Sequence, residues 1–144
     1  MRVYLVAMLL GIASPAVAQK VDVPAPVLRG LELLRADSVE AAVGVWSAAW
    51  TGPADAGKAP QLTASLTQIA GAAGRMRAYD ILTVESVGPH LRRVSALLRY
   101  ENLPIFAEFV VYDRGINVTD WMVAKVTWNS EPEKVLPPTV WPHE

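Results

Sequence analysis

Apolar positions recur along this chain with two different periods, and the change from one to the other divides it. In "PAPVLRGLELLR", Val27, Leu31 and Leu34 stand at helical spacing behind Pro24 and Pro26, which predicts a short first helix. Asp37 precedes Glu40 at capping-box spacing, and Val39, Val43, Trp46 and Trp50 then form one stripe. That stripe predicts an amphipathic second helix with both tryptophans on its buried side. "TGPADAGKAP" interrupts the pattern, and "QLTASLTQIAGAAG" resumes it with Leu62, Leu66, Ile69 and Ala73 before Gly71 and Gly74 end it.

After Gly74 the apolar residues alternate. Strands are predicted over 76–86, 91–101, 104–113 and 120–129, separated by Gly88-Pro89, Asn102-Leu103 and a loop around Gly115. Connections this short imply an antiparallel meander. With Asn102 and Leu103 as a two-residue turn, Tyr100 faces Ile105, Leu98 faces Ala107, Ala96 faces Phe109 and Val94 faces Val111, and every pair is apolar. Placing Tyr112 opposite Trp121 adds Met122, Ala124, Val126 and Trp128 to the same face, and a slip of one residue in either pairing would mix charge into it.

The opposite face is mixed. It is expected to carry Arg99, Phe106, Glu108, Val110, Tyr112, Trp121, Val123 and Lys125, with Glu108 opposite Lys125 and beside Arg99. So many large apolar groups call for a cover. The cover is either the chain itself, as a loop or the C-terminal tail with Val140 and Trp141, or a second copy pairing through these interface residues.

The first residues place Arg2 ahead of an apolar run over 3–12, then Pro15 and the small-residue site Ala16-Val17-Ala18. This reads as a signal peptide over 1–18, and hence a periplasmic or secreted protein. A transmembrane helix needs about 18 or more apolar residues, which neither this run nor any later one supplies, so no membrane span is expected after cleavage. Residues 19–130 then form one α+β domain and 131–144 a Pro-rich tail. A formal net charge of −1 leaves no electrostatic footprint for nucleic acid. The absence of cysteine removes disulfides, thiol nucleophiles and cysteine metal sites, so packing alone must hold the domain.

Helices followed by a meander, with "Gly-x-Met-x-x-Tyr-Asp-Ile" over 74–81, "Leu-Arg-Arg-Val" over 91–94, "Arg-Tyr-Glu-Asn-x-Pro-x-Phe-x-x-Phe-x-x-Tyr" over 99–112 and Asp120-Trp121, resembles the exported proteins of the nuclear transport factor 2-like (cystatin-like) superfamily. The resemblance spans Val27 to Trp128, and departs from many relatives where "RGINVTDW" replaces a tighter turn before the tryptophan. It implies a cone in which three N-terminal helices close over a curved four-stranded antiparallel sheet, frequently with an internal pocket and a sheet-mediated homodimer. It implies no single function, because enzymes, binding modules and assembly domains share that fold.

Candidate chemistry is sparse. Trp46, Trp50 and Trp128, with Tyr79 and Tyr100, are the residues that would line a pocket for a small apolar ligand, and the same rings could fill it instead. Tyr79 and Glu85 share an alternation and are the one pair resembling an acid-base set, which keeps an isomerase or dehydratase site inside the cone as the alternative. His90 and His143 form no metal-binding pattern, no cofactor motif is present, and Asn117-Val118-Thr119 is a sequon of low specificity. The sequence therefore points to an exported, non-catalytic binding or interaction module, with no catalytic residue, metal or cofactor assigned.

Overall fold

The computed structural model describes residues 22–116 and 120–140. The expected signal segment over 1–18, the sequon match at 117–119, Trp141 and His143 lie outside the described residues. Three helices, α1 (Ala25–Arg35), α2 (Val39–Ser47) and α3 (Lys58–Ala73), precede four strands, β1 (Met76–Ser86), β2 (Leu91–Tyr100), β3 (Pro104–Asp113) and β4 (Trp121–Asn129). The strands form one antiparallel sheet in chain order, so β1 and β4 are its edges. The class is α+β, with helices packed on one face of the sheet. Among the described residues no helix is long and apolar enough to cross a membrane.

Asp37 does not open α2. It sits in the left-handed region at φ 65°, and its amide and that of Ser38 reach back to Leu34 O and Leu33 O at 3.0 and 2.9 Å. Those two bonds close α1 as a Schellman end, and Ser38 becomes the residue before α2. The tight corner lets α1 and α2 fold against each other. At their crossing Gly30 is buried under the indole of Trp46, close enough that any side chain there would strike the ring. Trp46 in turn tilts onto Phe109 with centroids 5.1 Å apart. Val27, Leu31, Leu34, Val43, Leu66, Val94 and Val111 complete a helix-side core in which each is at most 5 % exposed.

The predicted strands match the observed ones closely, but two registers differ. β2 pairs with β3 so that Leu98 faces Ile105, Ala96 faces Ala107 and Val94 faces Phe109. Compared with the two-residue turn this is a slip of two, which keeps every side chain on its expected face. The cause lies at the start of β1, where Tyr100 pairs with Met76 and Glu101 and Asn102 donate amides to Arg75 O and Ala73 O. That end of β2 is thereby held by the α3–β1 junction and drops out of the β3 ladder.

The second difference is a bulge. Val111 faces Val123 while Val110 faces Lys125, so Ala124 is an extra residue on β4. Beyond it Val126 and Trp128 keep the expected face but pair with Phe109 and Ala107, two residues away from the expected partners Ala107 and Ile105. Before it the faces invert: Val123 is 1 % exposed in the helix-side core, and Trp121 packs there too rather than on the outer face. Trp121 stacks under the Arg92 guanidinium at 4.5 Å, and Arg92 also donates to Asp22 O at 3.0 Å. Bulges in β1, between Met76 and Ala78 and between Ile81 and Thr83, likewise turn Tyr79 toward the helices and Glu85 away from them, so these two do not share a face.

The chain after β4 passes through a short 3-10 turn (Pro132–Lys134) and crosses the outer face of the sheet. Thr139 Oγ1 donates to Glu85 Oε1 at 2.8 Å on the far edge strand. Val135 and Leu136 on the way are 8 % and 7 % exposed yet stand apart from the helix-side core. Under this strap Ser95 is 1 % exposed, and Phe106, Glu108 and Val110 are half-buried. Glu108 pairs with Arg93 at 2.7 Å rather than with Lys125, and Arg99 pairs with Asp80 at 3.0 Å.

Candidate functional site

The helix-side interior is filled. Trp46, Phe109, Leu31, Val27 and Val94 are among its fully buried side chains. The open volume lies beside it, where α3 leans on α2 and stands off the sheet. A cleft of about 430 Å³ runs between α3 and β4, walled by Trp50, Leu62, Val126 and Trp128 and edged by Lys58, Gln61, Ser65 and Lys125. A second hollow of about 330 Å³ continues it past Ser65 and Trp128 to Gln68, Ile69, Ala72 and Ser130. Ser65 and Trp128 belong to both, so the two form one groove along α3.

Local sequence explains the shape. α3 turns Leu62 and Leu66 inward, which leaves Gln61, Ser65 and Gln68 as a polar row along its groove side. The β4 bulge at Ala124 bends the edge strand away from its ladder. Trp50, predicted to ride on α2, sits three residues past the end of that helix, in the turn that leads toward α3. From there its indole N–H donates to Val123 O at 2.7 Å, which fixes the ring at one end of the groove and occupies an outward-facing carbonyl of β4.

The five sequence-predicted pocket residues are therefore not brought together. Trp50 and Trp128 wall the groove, Trp46 packs the core, and the two tyrosines point elsewhere. Tyr79 donates to Glu32 Oε1 at 2.6 Å, tying β1 to α1. Burial, and then that bond, push the Tyr79 phenol up to about 12, while the same phenol and Arg35 hold Glu32 below its usual range. Tyr100 is 8 % exposed, and its hydroxyl has no hydrogen-bond partner among the described residues. Burial, with Asp37 nearby, pushes it up to about 12 as well. A phenol so held stays protonated and is a poor proton acceptor near neutral pH.

Of the eight outer-face residues, Phe106, Glu108 and Val110 lie half-buried on the strap side of the sheet, Arg99 and Lys125 are exposed, and Tyr112 is 44 % exposed near the rim. Trp121 and Val123 face the helices instead. Gln61, Ser65, Gln68 and Lys58 carry no mark in the sequence as site residues, because their grouping depends on how far α3 stands from β4. Among the described residues no cluster of His, Asp and Glu is suited to hold a metal ion. Compared with known proteins, the chain matches no family model, no curated protein and no solved structure.

Proposed function

We propose that this chain is an exported binding module of nuclear transport factor 2-like type that works without catalysis and takes its ligand in the α3–β4 groove. The observation that carries the reading is the groove itself: apolar walls of Trp50, Leu62 and Trp128 with a few polar groups on one side. Binding sites are commonly built that way. Its described lining contains no carboxylate, histidine or tyrosine, so it offers no acid-base pair. The isomerase or dehydratase alternative rests on Tyr79 and Tyr100, neither of which lines the groove. Export rests on the signal-like first residues. Pairing of two copies through the sheet would require the strap to leave the outer face.

The test uses 1-anilinonaphthalene-8-sulfonate, an apolar anion suited to tryptophan walls and lysines, titrated into the chain lacking residues 1–18. The expected outcome is saturable binding that weakens at least tenfold in Ser65→Phe, which fills the groove at the point shared by both hollows and leaves the core intact. No saturable binding, or equal binding by Ser65→Phe with an unchanged circular dichroism spectrum, would remove the groove as the site.

A further inference from the structure

The groove has a direction. Early α3 residues Lys58 and Gln61 face the start of the free β4 edge, and late residues Gln68 and Ala72 face its end, so helix and strand run the same way along it. Among the described residues β4 pairs only with β3, which leaves alternate peptide groups of its other edge directed into the groove. An extended chain laid there would gain main-chain hydrogen bonds from β4 and meet the glutamine and serine row of α3 on its other side. This is recognition by strand addition.

Two features decide which part of a chain fits. The Trp50 indole already holds Val123 O, so an added strand cannot continue past that point and must end beside Ala124. At that same end stand Lys58 and Lys125, with no carboxylate among the described groove-lining residues. Lys58 is engaged by Asp55 at 2.6 Å, whereas Lys125 has no ion pair among the described residues. An antiparallel strand on β4 brings its own C-terminus to this end, and a parallel strand brings its amino terminus. Lys125 favours the first and repels the second.

Resting on the proposed reading of the groove, we infer that its ligand is the free C-terminal segment of another polypeptide, added antiparallel to β4 between Ala124 and Asn129 with its terminal carboxylate at Lys125. Apolar side chains at alternate positions of that segment pack on Leu62 and Trp128. Neighbouring side chains point out to solvent.

The experiment presents the chain lacking residues 1–18 to an immobilised library of decapeptides with free C-termini, and to the same library amidated. Expected are selected peptides that bind at least tenfold better as acids than as amides. Lys125→Glu should abolish that difference, and N-methylation of alternate amides in the last five residues should abolish binding. Ser65→Phe should lose both acid and amide forms. Equal binding of acid and amide overturns the carboxylate anchor, and tolerance of N-methylation overturns strand addition. If no peptide binds while the naphthalene sulfonate does, this inference fails and the groove remains a site for a small molecule. If neither binds, both readings fail.

Discussion

Replacing Gly30 by alanine tests the packing that the whole helix layer depends on. In a helix interior the substitution alone should stabilise by about 1 kcal/mol, because glycine is the poorer helix former. At Gly30, however, the new Cβ would lie 2.0 Å from Trp46 Nε1 and 2.3 Å from Cε2, where ordinary contact begins near 3.4 Å. The indole must retreat by more than an ångström, and it has nowhere to go: it is 1 % exposed and backed by Phe109. Forcing a methyl into a packed core costs about 1–3 kcal/mol and occasionally more, and dislodging a tryptophan altogether costs about 3–5 kcal/mol. A net loss of about 2–3 kcal/mol follows after the helix gain is subtracted. Gly44→Ala and Gly71→Ala are the controls, since a Cβ at either meets nothing within 4 Å. Each should gain up to about 1 kcal/mol. Urea denaturation of the three variants measures the contrast, with Gly30→Ala shifting the midpoint down and the other two shifting it up at unchanged slope. A Gly30→Ala variant as stable as Gly44→Ala would refute the contact between α1 and α2 as described.

Two more predictions concern polar groups inside the fold. Ser95 is 1 % exposed with an Oγ that has no hydrogen-bond partner among the described residues, so Ser95→Ala should be neutral or stabilise by up to about 1–2 kcal/mol, read from the same urea midpoint. A clear destabilisation would mean that the hydroxyl has a partner. Burial raises Tyr79 and Tyr100 to about 12, above the usual phenol value of 10.0, so on a rise in pH the unfolded chain releases those protons first. The stability they contribute is complete below pH 10 and is lost between about 10 and about 12. Phenolate absorbance followed against pH should show two late-ionising tyrosines, with one removed in each of Tyr79→Phe and Tyr100→Phe. Ionisation of all the tyrosines together at the ordinary value would contradict the burial.

The sequence made the strands legible because alternation survives wherever one face is buried, and the inward set of β2 and β3 came out whole despite a register two residues off. That error was invisible locally. Only the third partner, Met76 on β1, shows why Tyr100 leaves the β3 ladder. Trp121 and Val123 changed faces because Ala124 is a bulge without glycine or proline to announce it. Asp37 has the spacing of a helix opener and closes the previous helix instead, since an aspartate tolerates φ 65° and both roles use the same residue type. The groove was the least legible part. Two of its aromatic walls, Trp50 and Trp128, could be named from hydrophobic stripes, but its polar row and its end depend on tertiary spacing that periodicity does not encode.

The strap that crosses the outer face follows all four strands in the chain, and this sets an order of events during synthesis. Chains fold from the N-terminus as they emerge. The helices and β1–β3 can therefore assemble while β3 is still an open edge and Phe106, Val110 and Ser95 still face water. β4 then closes one side, and the cover arrives only with Val135, Leu136 and Thr139. A chain truncated after Asn129 would hold all four strands with the outer face of the sheet uncovered. The cover supplied by Val135, Leu136 and Thr139 therefore matters most before the fold is complete, when Phe106 and Val110 would otherwise be an adhesive surface.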